Sequence, residues 1–128
     1  MTKQIIHTDK APAAVGPYSQ AVATSATKMV FLSGQIGLLP ETGELVTSSF
    51  ESQVGQAFAN LQAVVEAAGA DLNNIVKLTL YLTDLDNFSV VNQIMATVIP
   101  QPFPARSTIG VASLPKGASF EVEAILAL

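Results

Sequence analysis

Apolar residues recur along this chain with two different periods, and the switches between them predict the order of its elements. Val76, Leu78, Leu80 and Leu82 alternate with Lys77, Thr79 and Tyr81, the two-residue period of a strand with one buried face. Upstream, Val54, Phe58, Leu61, Val65 and Ala68 fall at three- and four-residue steps, the apolar stripe of an amphipathic helix. Ser48 followed by Glu51 has the spacing of a capping box and predicts the helix start, while Gly69 predicts its stop. A second helix is expected to begin after Thr83 or Asp84, with Leu85, Phe88, Val91, Met95 and Val98 on its inner face. Pro100, Pro102 and Pro104 forbid its continuation. Strands are expected over 3–7, 20–24 and 29–33, the last ended by Gly34. The segment APAAVGPYSQA reads as a loop and PETGE as a turn. Two further strands, 106–112 and 119–126, close the chain around an LPKG turn.

With no repeat, low-complexity tract or charged linker, residues 1–128 read as a single domain. Two amphipathic helices on one face of a single sheet give a two-layer α+β architecture. The other face of that sheet has no helix left to cover it. Composition sharpens this point: 49% of residues are hydrophobic and 12% charged, the latter about half the usual share of a soluble domain. Part of the surface is therefore expected to be buried between copies of the chain.

The balance of 6 Lys+Arg against 10 Asp+Glu, net −4, works against a polyanionic partner, which needs a basic stripe. The lysines (Lys3, Lys10, Lys28, Lys77 and Lys116) are scattered and Arg106 is the single arginine. Nucleic acid is thus not the expected ligand. The first ten residues carry charges where a signal peptide needs its apolar stretch, and the longest apolar patches fall short of the ~20 residues a bilayer requires. The expectation is a cytosolic protein with no membrane association.

Most catalytic patterns are missing. The chain has 0 Cys, and its one histidine, His7, has no second histidine beside it and reads as a solvated loop residue. The glycines fit neither a phosphate loop nor a dinucleotide fingerprint. No metal and no cofactor are expected. Arg106 is the only planar fork able to grip a carboxylate with two parallel hydrogen bonds, although an ordinary ion pair with an acid would equally explain it. Glu121 and Glu123 interrupt an apolar final strand and share a face with Ile125, opposite Phe120, Val122 and Ala124. They are either solvent-facing acids or, if that face is buried between subunits, groups that need a partner or a role. Tyr18 and Ser33 are polar hydroxyls near glycines, with structural and functional readings both open.

Taken together, APAAVGPYSQAV, FLSGQIGL, PETGEL, QAFANLQAVVEAAGA, KLTLYLTDLDNFSVVN and PARSTIGVASLPKGASFEVEAI resemble the corresponding segments of the RidA/YjgF family of reactive-intermediate deaminases. The likeness runs from about Lys3 to Ala127. It implies a chorismate-mutase-like α+β fold, a homotrimer with clefts between neighbouring subunits, and no cofactor or metal. The implied activity is hydrolysis of 2-imino acids, such as 2-iminobutanoate and 2-iminopropanoate, to 2-oxo acids and ammonia. By the same resemblance Arg106 binds the substrate carboxylate and Glu121 places or activates the hydrolytic water. Tyr18, Ser33 and Gly34 line the pocket, and Thr108 stands there where many members have cysteine. Met95, Val98 and Ile99 stand where relatives often carry aromatic residues. The choice of Glu121 over Glu123 rests on the motif match alone. Competing readings are a 2-oxo acid binding module without turnover, a ribonuclease or translation inhibitor, and a chaperone.

Overall fold

The structure, a computed structural model, describes residues 3–128. Its strands are β1 (Lys3–Ile6), β2 (Ala21–Thr24), β3 (Met29–Gln35), β4 (Ile75–Leu82), β5 (Ala105–Gly110) and β6 (Phe120–Ala127). Its helices are α1 (Phe50–Ala67) and α2 (Phe88–Val98). Four strands form a mixed sheet in the order β3-β6-β4-β5, with β5 parallel to β4 and the other pairs antiparallel. The fold is the expected α+β type, but the first two strands do not join that sheet. They pair with each other from Lys3↔Thr24 to Ile6↔Ala21. Among the described residues the outer edge of β5 is bridged only by Ser19, whose N–H donates to the Pro104 carbonyl at 2.9 Å. Beyond that point the chain leaves β5 and pairs with β1.

Helix α1 forms where its apolar stripe predicts. Its cap is Ser49, one residue past the expected position, with the Ser52 N–H donating to the Ser49 hydroxyl at 3.0 Å. Ser48 is therefore not the cap, and Glu51 lies in the first turn, where its charge favours the helix dipole. At the other end Gly69 takes φ +79. The N–H groups of Gly69 and Ala70 return to Glu66 and Val65 at 3.0 and 3.2 Å, satisfying two free carbonyls.

Asp84 caps a short 3₁₀ turn, Leu85–Asn87, with its carboxylate 2.9 Å from the Asp86 N–H. Helix α2 follows. Leu85 consequently lies on the turn, 53% exposed, and not on the inner face of α2. The core lies between the helices and one sheet face. Val54, Phe58, Leu61 and Val65 of α1 and Val91 and Met95 of α2 meet Leu78, Leu80 and Leu82 of β4 and Phe120, Val122 and Leu126 of β6. Each such side chain removed from water contributes about 1.5–3 kcal/mol.

Two irregularities alter the strand pattern. A register shift between Ile75 and Lys77 puts Ile75 in the core and leaves Val76 half-buried, so Val76 does not continue the buried row. A second break, between Leu32 and Gln35, means that Gly34 does not end β3. It occupies an irregularity within β3, and such breaks re-aim the local backbone.

Candidate functional site

The functional candidates fall into two clusters, and strand pairing decides which face of the sheet each occupies. In the parallel ladder Arg106 lies opposite Leu78 and Thr108 opposite Leu80. Both leucines are fully buried beneath the helices, so Arg106 and Thr108 belong to the helix-covered face. The prolines before β5 settle the approach: Pro104 is buried, and its carbonyl and that of Phe103 accept from the N–H and hydroxyl of Ser19 at 2.9 and 2.5 Å. Holding Ser19 against Ala105 brings the preceding Tyr18 over Arg106.

The guanidinium carbon of Arg106 lies 4.7 Å from the Tyr18 ring centre and 5.0 Å from that of Phe88, so the cation faces two aromatic rings. Its Nη1 donates to Asn92 Oδ1 at 2.6 Å and lies 3.7 Å from Met95 Sδ. Loop and helix close around the same group. A Cβ added to Gly16 would lie 3.6 Å from both Arg106 Nη2 and Asn92 Nδ2.

Arg106 is half-buried, and this burial lowers its pKa from the ordinary value against an opposing influence of Tyr18. An arginine so placed still carries its proton at neutral pH. The ion pair open on sequence grounds does not form: among the described residues no carboxylate lies within 4.0 Å of the Arg106 guanidinium, and the one close acid–base contact is between the exposed side chains of His7 and Asp9, at 3.0 Å. Arg106 is thus a fixed cation held by a neutral amide. Nearby on the same strand, Thr108 Oγ1 is buried without a hydrogen-bond partner.

The second cluster occupies the opposite face. Glu121 pairs with Tyr81 and Glu123 with Thr79, both out of phase with the buried row Leu78, Leu80 and Leu82. The Glu121 carboxyl lies directly against Gly34: a Cβ there would sit 2.7 Å from Glu121 Cδ and closer still to Oε2. Ser33 is exposed beside it. Burial first, then the nearby charge of Glu123, pushes the Glu121 pKa up. The Tyr81 hydroxyl donates to Glu123 Oε1. That bond, followed by burial and the charges of Glu123 and Glu121, raises the pKa of Tyr81 as well.

This packing gives Gly34 a definite role. Gly34→Ala is expected to displace the Glu121 carboxyl, and in the water-activating role that the family resemblance implies for Glu121 a misplacement of about 1 Å costs on the order of 10²-fold in rate. Thermal melting and kcat measured together check it, with kcat falling far more than the loss of stability explains.

The structure therefore places Arg106, Tyr18 and Thr108 on one face and Glu121, Ser33 and Gly34 on the other, so the residues the sequence names for one pocket do not meet in one cleft of one chain. Sequence reasoning passes over Asn92, reads Phe88 only as core, and reads Met95 as core and as a position where relatives often carry aromatic residues. The spacing does carry a signal: Asn92 stands four residues after Phe88 and three before Met95, an amide on an otherwise apolar stripe. Among the described residues, no three His, Asp or Glu side chains gather as a metal site, and no helix is long and apolar enough to cross a membrane.

The chain is similar to known proteins along nearly its whole length. A family model described as Endoribonuclease L-PSP matches residues 8–128. The chain is 49% identical to the Reactive Intermediate Deaminase A, chloroplastic, of Arabidopsis thaliana, over 98% of this chain and 66% of that protein. It is 46% identical to the 2-iminobutanoate/2-iminopropanoate deaminase of Mus musculus, over 96% of this chain and 90% of that one. The crystal structure of RidA from an Antarctic Psychrobacter superimposes with a TM-score of 0.76 at 48% identity, covering 98% of this chain and 99% of that one. The chain belongs to this family, the RidA/YjgF family whose motifs its sequence carries.

Proposed function

We propose that the protein hydrolyses 2-imino acids to 2-oxo acids and ammonia, in clefts that form only when copies of the chain meet. One observation carries this reading: Arg106 is an unneutralised guanidinium, fixed by Tyr18, Phe88 and the neutral Asn92. Such a group is preorganised for a small carboxylate. The deaminase names of the curated relatives supply the reaction class.

The chemistry follows from the substrate. A 2-imino acid has its carboxylate one bond from the C=N carbon, so a gripped carboxylate leaves that carbon in a defined position. Water adds to the protonated imine at C2, losing a proton to Glu121. Glu121 returns that proton to the carbinolamine nitrogen, ammonia leaves, and the C2 hydroxyl gives up its own proton to Glu121 as it becomes the carbonyl of the 2-oxo acid. General base assistance of this kind is worth about 10²–10⁴-fold. A carboxyl pushed above its usual range by burial is better matched to this exchange than an ordinary surface glutamate.

The separation of the clusters supports the intersubunit part of the proposal. Arg106 faces α2, whereas Glu121 faces the side of the sheet that no helix covers. A second copy must therefore bring its own Arg106 cluster to that open face. Exposed Phe31, Met29 and Ile109, at 73%, 43% and 43%, supply apolar surface for this contact, and a closed homotrimer satisfies it symmetrically. No cofactor enters the scheme. The family's ribonuclease description finds no support in the chain's net charge of −4.

A coupled assay tests the activity. An amino-acid oxidase or threonine dehydratase generates the imine while semicarbazide traps what has not been hydrolysed. The protein is expected to lower semicarbazone formation. No effect with any of several amino acids would leave a 2-oxo acid binding module as the better reading.

A further inference from the structure

We propose that Tyr81 is a positioning residue for the hydrolytic step: its hydroxyl holds the Glu123 carboxylate beside Glu121, so that the two acids act as a coupled pair. The consequence for catalysis rests on the deaminase reading; the positioning itself does not.

The geometry is specific to one patch of the open face. Glu121 lies between Gly34 on β3 and its cross-strand partner Tyr81 on β4, with Glu123 two residues further along its own strand. Tyr81 does not donate to Glu121, the acid directly opposite. It reaches diagonally to Glu123, a distance that aromatic side chains span across an antiparallel pair.

Glu123 has a cation in its surroundings. It lines a hollow of about 160 Å³ together with Phe31, Thr79, Ile125 and Lys77, and Lys77 is the cation on that face. Lys77 Nζ is instead drawn to Ser107 Oγ at 3.1 Å. Without the Tyr81 hydroxyl, Glu123 is free to turn towards Lys77 or solvent and away from Glu121.

The charges around Glu121 give the direction of the effect. On β6 its charged neighbour is Glu123. On β4 it faces Tyr81, with Lys77 beyond Thr79, and on β3 it faces the uncharged Ser33, Gly34 and Gln35. Among the described residues no cation pairs with it. In the proposed assembly a second copy's Arg106 approaches as well, a contribution that is the same in the wild type and in each variant. A fixed like charge disfavours ionisation of its neighbour, so Tyr81 raises the pH at which Glu121 loses its proton. Moving Glu123 away must lower it.

The test is a side-chain carboxyl ¹³C NMR titration of the ligand-free protein, with Glu121 assigned from Glu121→Gln. Tyr81→Phe keeps the ring and removes only the hydroxyl. The Glu121 midpoint is expected to fall by about half to one pH unit in Tyr81→Phe. It should fall similarly in Glu123→Gln, with little further change in the double variant. An unchanged midpoint in Tyr81→Phe, with a lowered one in Glu123→Gln, would overturn the positioning role, and unchanged midpoints in both would overturn the coupled pair. The acid limb of kcat/KM is read in parallel and should follow the midpoint. A midpoint that moves without the limb supports the positioning and counts instead against Glu121 as the base.

Discussion

Arg106→Ala is expected to reduce kcat/KM for imine hydrolysis by about 10²–10⁴-fold, the loss of two charge-assisted hydrogen bonds worth roughly 1.5–3 kcal/mol each. The fold should survive. Arg106 makes no ion pair among the described residues and sits at an edge strand, where its loss leaves Asn92 without one donor. Arg106→Lys is the sharper variant. It keeps the charge but not the fork, and a point charge between Tyr18 and Phe88 cannot hold a carboxylate by two parallel bonds. Steady-state kinetics with the semicarbazide assay should show most of the activity lost in both variants. A lysine variant with full activity would show that only charge matters at this position.

Glu121→Gln should lower kcat by about 10²–10⁴-fold while changing 2-oxo acid affinity little, because the neutral amide retains the shape but not the basicity. The wild-type pH profile carries a second expectation. Burial and Glu123 push the Glu121 pKa up, so the reactive carboxylate form is lost as pH falls through that raised value. The acid limb of kcat/KM should therefore lie above the usual glutamate range, and it should vanish in Glu121→Gln. Equal losses of turnover and product binding would recast Glu121 as a binding group.

What the sequence made legible, and what it hid, follows from the range of each interaction. Helix α1 and strand β4 announce themselves because their signals are local: the stripe from Val54 to Val65, the stop at Gly69 and the alternation from Leu78 to Leu82. Arg106 was conspicuous as the only arginine, and Glu121 and Glu123 as acids in an apolar strand. Hidden were features set by distant partners. The register shifts between Ile75 and Lys77 and between Leu32 and Gln35 lie in the pairing with β6, and no neighbouring residue in sequence signals them.

The contact between Ser19 and Ala105 that carries Tyr18 onto Arg106 likewise joins two segments far apart in the chain. Asn92 was missed because one amide on an apolar stripe looks like tolerated polarity until its partner is known. Most consequential was the facing of the clusters. Period-two reasoning correctly puts Glu121 and Glu123 on one side of β6, but only the register through Leu78 and Tyr81 shows that Arg106 points to the other.

That opposition is best tested by mixing subunits. Arg106→Ala and Glu121→Gln chains, each nearly inactive alone, are unfolded together in equal amounts, refolded and assayed as one population. If each cleft takes Arg106 from one copy and Glu121 from the next, random reassembly restores one intact pairing in about a quarter of the clefts. Activity should then recover to about a quarter of the refolded wild type. Recovery no greater than the sum of the two inactive variants would mean that both residues serve a cleft from the same chain, and would contradict a site shared between subunits.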